Sequence, residues 1–194
     1  MRHLGTTLGV VPAIAALLSS LPSCNQYLPS DSVSCPTSNS ASAISPGSEK
    51  VTITQGVWGD IRFWTGDFMP KVSSASDPCP QSSGLIKNVK REIVIFPLVN
   101  PVTTPTSVQT DSVGSPFYVQ INLTPIASVT SDSSGFYEVS LAAGNYSIFT
   151  KESYLSKVYY YANGYDGAGN IQPIKIVSGQ KTNFPVNITY ASIH

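Results

Sequence analysis

Histidine is nearly absent from this chain. Among 194 residues only His3 and His194 carry an imidazole, one near each end. Nucleophilic catalysis of the Ser-His-Asp or Cys-His kind needs an imidazole within hydrogen-bond reach of the nucleophile. His3 falls in a leader segment, and a terminal residue such as His194 is usually mobile, so this chemistry is not expected. Charge is scarce too: 11% of residues are charged, against roughly 25% in an average soluble domain. Eleven basic residues balance eleven acidic ones, so the chain has no basic footprint for nucleic acid. The absence of net charge, with 10% aromatic residues, also excludes a disordered acidic chain. Three cysteines without a CxxC spacing give no zinc site. What remains is 41% hydrophobic residues, enough for a core, and a length that fits one domain with room for a tail.

Carboxylates offer little more. Asp60, Asp67, Glu92, Glu138, Glu152 and Asp166 are the acidic candidates for glycoside cleavage, which needs two of them at one cleft. Nothing in the sequence brings two together, and Glu138 alternates with core positions, so it is expected to face solvent. The loop NGYDGAGN (163–170) holds oxygen ligands and glycines but lacks the alternating ligands and terminal Glu of an EF-hand. It reads as a glycine-rich turn in which Asp166 caps backbone amides. No catalytic residue, cofactor site or metal ligand is expected.

The first residues read MRHLGTTLGVVPAIAALLSSLPSC. Arg2 supplies a positive start, and no residue from Leu4 to Ser30 is charged. The apolar stretch from Leu8 to Leu18 is shorter than the roughly 20 residues a spanning helix needs, and it contains Gly9 and Pro12. A signal peptide over 1–23 fits better. Its end, Leu21-Pro22-Ser23-Cys24, resembles the lipobox of bacterial lipoproteins, although Pro22 replaces the usual small residue. The resemblance implies that Cys24 becomes the lipidated N-terminus. Several acyl chains bury many methylenes at about 0.8 kcal/mol each, enough to anchor without a spanning helix. Ordinary cleavage near Ser20 or Ser23 is the alternative. Cys35 and Cys79 are then left as a possible disulfide in an oxidising compartment.

Residues 25–48 are rich in Ser, Asn, Thr and Pro, with Asp31 the single charge. With Cys24 they read as a tether (24–48), since such a stretch buries too little apolar surface to offset its ordering entropy. A folded domain is expected over 49–194. In 51–64, Val57, Ile61 and Phe63 alternate with Trp58, Asp60, Arg62 and Trp64, the period of a strand with one buried face. Residues 65–90 and 97–116 read as long loops around a short strand, REIVIF (91–96). Phe117, Val119, Ile121 and Leu123 alternate, as do Tyr137, Val139 and Leu141, then Tyr146 and Ile148 after a turn at Ala143-Gly144-Asn145. The runs 158–162 and 171–177 follow, and Phe184, Val186, Ile188 and Tyr190 give the clearest alternation of all. Seven to eight short strands with frequent turn signals imply an all-β, antiparallel Greek-key β-sandwich. A small closed barrel is the alternative.

The residues Asp132, Gly135, Phe136, Tyr137, Val139, Leu141, Gly144, Tyr146 and Ile148 resemble the signature of carboxypeptidase regulatory-like domains, which have a transthyretin-like (prealbumin-like) sandwich. The span 56–190 is also similar to envelope lipoproteins of Bacteroidetes-type bacteria, through GVWGDIRFWTGDFMP (56–70), KREIVIF (90–96), YSIFTKE (146–152) and DGAGNIQPIKI (166–176). The resemblance implies a non-enzymatic lipoprotein of the bacterial cell envelope, attached to a membrane through Cys24, in a structural, accessory or adaptor role. An envelope protein or a glycan is the implied partner. A carbohydrate- or peptide-binding module is the competing expectation. Trp58 and Trp64, six residues apart with equal parity, could share an exposed face and stack on sugar rings, or pack as core.

Overall fold

Most of the long runs in which apolar and polar residues alternate are extended and paired. The computed structural model describes residues 47–74 and 76–194. Its strands are β1 (Gly56–Asp67), β2 (Leu85–Asn88), β3 (Glu92–Pro97), β4 (Val108–Gln109), β5 (Phe117–Tyr118), β6 (Gln120–Ile121), β7 (Ala127–Thr130), β8 (Phe136–Ser140), β9 (Gly144–Tyr154), β10 (Lys157–Tyr161), β11 (Pro173–Ile176), β12 (Lys181–Asn183) and β13 (Val186–Ile193). The only helical turns among the described residues are two short 3-10 segments, Ser48–Lys50 and Pro105–Ser107.

One sheet is built around β1. Antiparallel β8 and then β2 lie along one edge of it, and parallel β12 and then β13 lie along the other. The second sheet runs β5-β10-β9-β3-β7, with β11 continuing alongside β9 where β10 ends. Between the sheets lies the main core: Val57, Ile61, Tyr137, Val186 and Ile188 from the first meet Ile93, Ile95, Ile148, Tyr159 and Tyr161 from the second. A fully buried aliphatic side chain contributes about 1.5–3 kcal/mol, so these inward rows supply much of the driving force. The described residues form an all-β sandwich, as the alternation predicted.

The run Ile93-Val94-Ile95-Phe96 has a different logic. All four are buried. Ile93 and Ile95 face the inter-sheet core, whereas Val94 and Phe96 belong to a second cluster with Val99, Tyr118, Ile121, Phe149, Ala162 and Ile171. A continuously apolar strand is one covered on both faces. The cover comes from 97–126, which holds the β4–β6 ribbon and lays Val99, Tyr118 and Ile121 over the outside of the second sheet. The 97–116 stretch, expected as a long loop, contributes Val99 and β4 to this cover, and the 117–123 stretch contributes Tyr118 and Ile121.

Four expectations are corrected. The first sheet is mixed, because β1 runs parallel to β12 and β13; a period of two carries no information about strand direction. Among the described residues thirteen strands replace seven to eight, since elements of two to four residues such as β2, β4 and β6 are too short to show alternation. The turn expected at Ala143-Gly144-Asn145 does not join neighbouring strands: β8 pairs with β1 while β9 pairs with β3, β10 and β11, so the chain crosses between sheets at 141–143. Leu141 is buried at that corner, and the Tyr146 hydroxyl donates to Ala142 O at 3.0 Å. Finally, the alternation over 117–123 breaks, with Tyr118 buried and Val119 45% exposed. The chain turns over there because β5 pairs with β10 and β6 pairs with β4.

Two glycines are dictated by geometry. At Gly135 φ is +82°, and a Cβ would stand 2.9 Å from Ile61 O. A Cβ on Gly59 would stand 2.3 Å from Phe184 O, where the segment entering β13 crosses β1.

Candidate functional site

Trp58 and Trp64 lie on the side of β1 that faces away from the inter-sheet core, with Asp60 and Arg62 between them. Both are half-buried. At about 3.3 Å per residue the two indoles are anchored about 20 Å apart, too far for one sugar ring to bridge. The Asp60–Arg62 ion pair divides them, and Asp60 is only 1% exposed. Trp64 instead packs against Phe68 (5.0 Å between centroids) and His194 (5.8 Å), and Phe68 stacks on His194. Its indole Nε1–H donates to Asn187 Oδ1 at 3.2 Å. The two tryptophans are thus not one platform, and Trp64 acts on a neighbouring amide.

The carboxylates are occupied with the fold. Asp132 Oδ1 accepts from the amides of Ser134 (2.8 Å) and Phe136 (3.0 Å), and the Ser134 hydroxyl leads the interactions that hold its carboxyl below the ordinary range. Glu138 accepts from the amides of Thr52 and Ile53 and so clips the incoming segment to β8. Its half-buried carboxylate is a tie and not simply a solvated side chain. Glu92 meets Lys151 at 2.7 Å, which lowers its pKa. Asp166 Oδ1 accepts from Ala168 N (3.0 Å) and Asn170 N (2.9 Å), and Oδ2 accepts from Asn170 Nδ2 (2.7 Å), so it caps its own turn as the sequence suggested. Those bonds, Asn170 first, hold it below the usual carboxylate range.

Glu152 is the exception in environment. It is 1% exposed at the inner face of β9, where Arg91 grips it through Nε at 3.0 and 3.1 Å and the Tyr190 hydroxyl donates at 3.2 Å. Burial raises its pKa, with Arg91 pulling the other way. Tyr190, packed edge-on to Phe63 and against Phe117, is itself pushed up to about 12, chiefly by burial and then by the Glu152 charge. Asp60 lies on the outer side of the first sheet and Glu152 lies between the sheets, so the two most buried acids do not share a cleft. Among the described residues no three His, Cys, Asp or Glu side chains converge as a metal set. No described helix is long and apolar enough to cross a membrane. Cys79 is disulfide-bonded. Its proposed partner Cys35 and the lipidation residue Cys24 lie outside the described residues.

One cleft lies elsewhere, where the loop after β10 and the residues before β11 meet the segment entering β13. This cleft of ≈ 270 Å³ is lined by Asn163, Tyr165, Gln172, Phe184 and Asn187, among others. Gln172 is central. The residue is 7% exposed and its φ is +38°, rare for a residue with a Cβ. The backbone is held there by Gln172 N–H donating to Gly164 O (2.7 Å) and Gln172 O accepting from Ile148 N (3.2 Å). The side-chain amide has no hydrogen-bond partner among the described residues. Asn163 Nδ2 donates to Thr189 Oγ1 at 2.7 Å, leaving its carbonyl oxygen unused. Asn187, with Oδ1 taken by Trp64, keeps its amide donors. Tyr165 is 50% exposed while its hydroxyl is pinned by Ser115 (2.7 Å) and by Tyr118. A second cleft of ≈ 340 Å³, lined by Leu98, Asn145, Asn170 and Lys175, opens on the other side of the Asp166 turn.

Sequence reasoning missed Gln172. The available signal was one amide in an otherwise apolar stretch, Ile171-Gln172-Pro173-Ile174, directly after a glycine-rich turn. No family model, curated protein or solved structure matches this chain in comparisons with known proteins.

Proposed function

We propose that this chain is a non-enzymatic accessory lipoprotein of the bacterial cell envelope. The acyl chains on Cys24 hold it to the membrane, the 24–48 segment is its tether, and a carboxypeptidase regulatory-like, transthyretin-like sandwich is displayed to an envelope partner. The supporting observation is the employment of its ionisable groups. Apart from Glu49, every carboxylate in the described chain caps a turn, clips a segment or forms an ion pair within the sandwich. Groups committed to structure in this way are poorly placed to shuttle protons, which favours display or recognition over catalysis. The test is fractionation: the full chain expressed in a bacterium should stay with carbonate-washed membranes, and Cys24→Ser should release it. A wild-type chain found in the soluble fraction would refute the anchor.

A second reading, a small-ligand binding module, is favoured by the Gln172 cleft, because a strained backbone position there presents a side-chain amide to the cleft.

A further inference from the structure

We infer that the Gln172 cleft is a binding site for a neutral saccharide, with the Gln172 side-chain amide as its central polar contact. The inference rests on the binding-module reading and is independent of the membrane anchor.

Three observations combine. Gln172 is a largely buried residue (7% exposed) that lines the cleft, and its side-chain amide, open to the cleft, makes no hydrogen bond with another described residue. An amide that opens onto a cleft is hydrated and can exchange that water for a ligand hydroxyl. A primary amide offers two donors and an acceptor, which matches a hydroxyl that can both donate and accept. Asn187 and Asn163 line the same cleft with the complementary unused functions, donors on the first and an acceptor on the second. Hydroxyls from a sugar ring could therefore replace water at all three amides without leaving a group unpaired.

The apolar part of the lining fits the same ligand. Tyr165 exposes its ring while its hydroxyl is fixed through Ser115 and Tyr118, and Phe184 and Pro185 line the opposite strand segment. A pinned ring loses little freedom on binding and offers a flat face to the C–H side of a pyranose. Charge argues against an anion: the cleft is lined by no Lys or Arg, and its one ionisable acid, Asp166, is held as a carboxylate by Asn170 and the turn amides. Its size, ≈ 270 Å³, is that of a small-ligand subsite.

The strain at Gln172 supplies a clean variant. Gly adopts positive φ without steric cost, so Gln172→Gly removes the amide while relaxing the backbone. The full-length chain would be titrated with neutral oligosaccharides of glucose, mannose, xylose and N-acetylglucosamine. Hyaluronan, polygalacturonate and an unstructured peptide library would be run in parallel, with tryptophan emission as the readout because Trp64 bonds the cleft residue Asn187. At least one neutral oligosaccharide should bind, and Gln172→Gly should weaken it by about tenfold or more with an unchanged or higher Tm. Asn163→Ala should weaken it as well. The inference is overturned if no neutral oligosaccharide binds, if only the anionic polymers or peptides bind, or if Gln172→Gly binds as the parent does. Membrane retention scored on the same preparations keeps failure of this site distinct from failure of the anchor.

Discussion

Removing the Arg91 guanidinium should destabilise the sandwich in a pH-dependent way. In Arg91→Met, Glu152 loses both Nε contacts and remains 1% exposed between the sheets. Two charges about 4 Å apart interact by about 4 kcal/mol at an effective dielectric near 20. The Arg91 side chain is 31% exposed, so solvent screening halves this to about 2 kcal/mol. The direction follows from linkage. Burial already holds the Glu152 pKa above that of the unfolded chain. The folded protein thus keeps this proton more tightly, and the resulting stability is complete below the unfolded value and lost as pH rises through the folded one. Arg91→Met moves the folded value further up. Its cost should therefore be about 2 kcal/mol around pH 8 and smaller around pH 5, because protonation of the carboxyl removes the charge that Arg91 balances. Urea unfolding of parent, Arg91→Met, Glu152→Gln and the double variant at both pH values measures this. The double variant should recover most of the loss at the higher pH. An equal cost at the two pH values, or no coupling in the cycle, would refute the reasoning.

Other consequences are simpler to score. Phe149→Ala should cost about 3–5 kcal/mol in chemical denaturation, because Phe149 is fully buried beneath the 97–126 layer; a cost under about 1 kcal/mol would mean that layer is not packed down. Gly135→Ala should lower stability by about 1–3 kcal/mol, since φ is +82° and the new methyl meets Ile61 O. Tyr146→Phe should cost about 1 kcal/mol by removing the bond to Ala142 O, read as a shift in the urea midpoint at constant slope. Peptide mapping without reductant should recover Cys79 joined to Cys35; a Cys79 peptide joined to Cys24 would rule out lipidation of that residue.

Strands with long, regular alternation were legible from sequence because each inward side chain repeats at every second position. Val186 and Ile188, and Val57 and Ile61, lie in the core where their parity put them. Connectivity was not legible. The turn chemistry at 143–145 looks the same whether the chain doubles back within a sheet or crosses to the other one, and the difference is decided by which strands β1 and β3 offer as neighbours. The outer layer escaped notice because its apolar contributors, Val99, Tyr118 and Ile121, are scattered among prolines and polar residues. The same holds at the site. Trp58 and Trp64 attracted attention as large aromatics, yet parity alone could not reveal the ion pair between them. Gln172 drew none, because its significance comes from burial and backbone conformation, and neither is visible in residue type.

The account rests on a lipid-held display module, and the intact mass of the protein extracted from bacterial membranes tests this directly. The account predicts a chain that begins at Cys24 and carries the added mass of its acyl groups. An unmodified chain, or one that begins at any other residue, would contradict it.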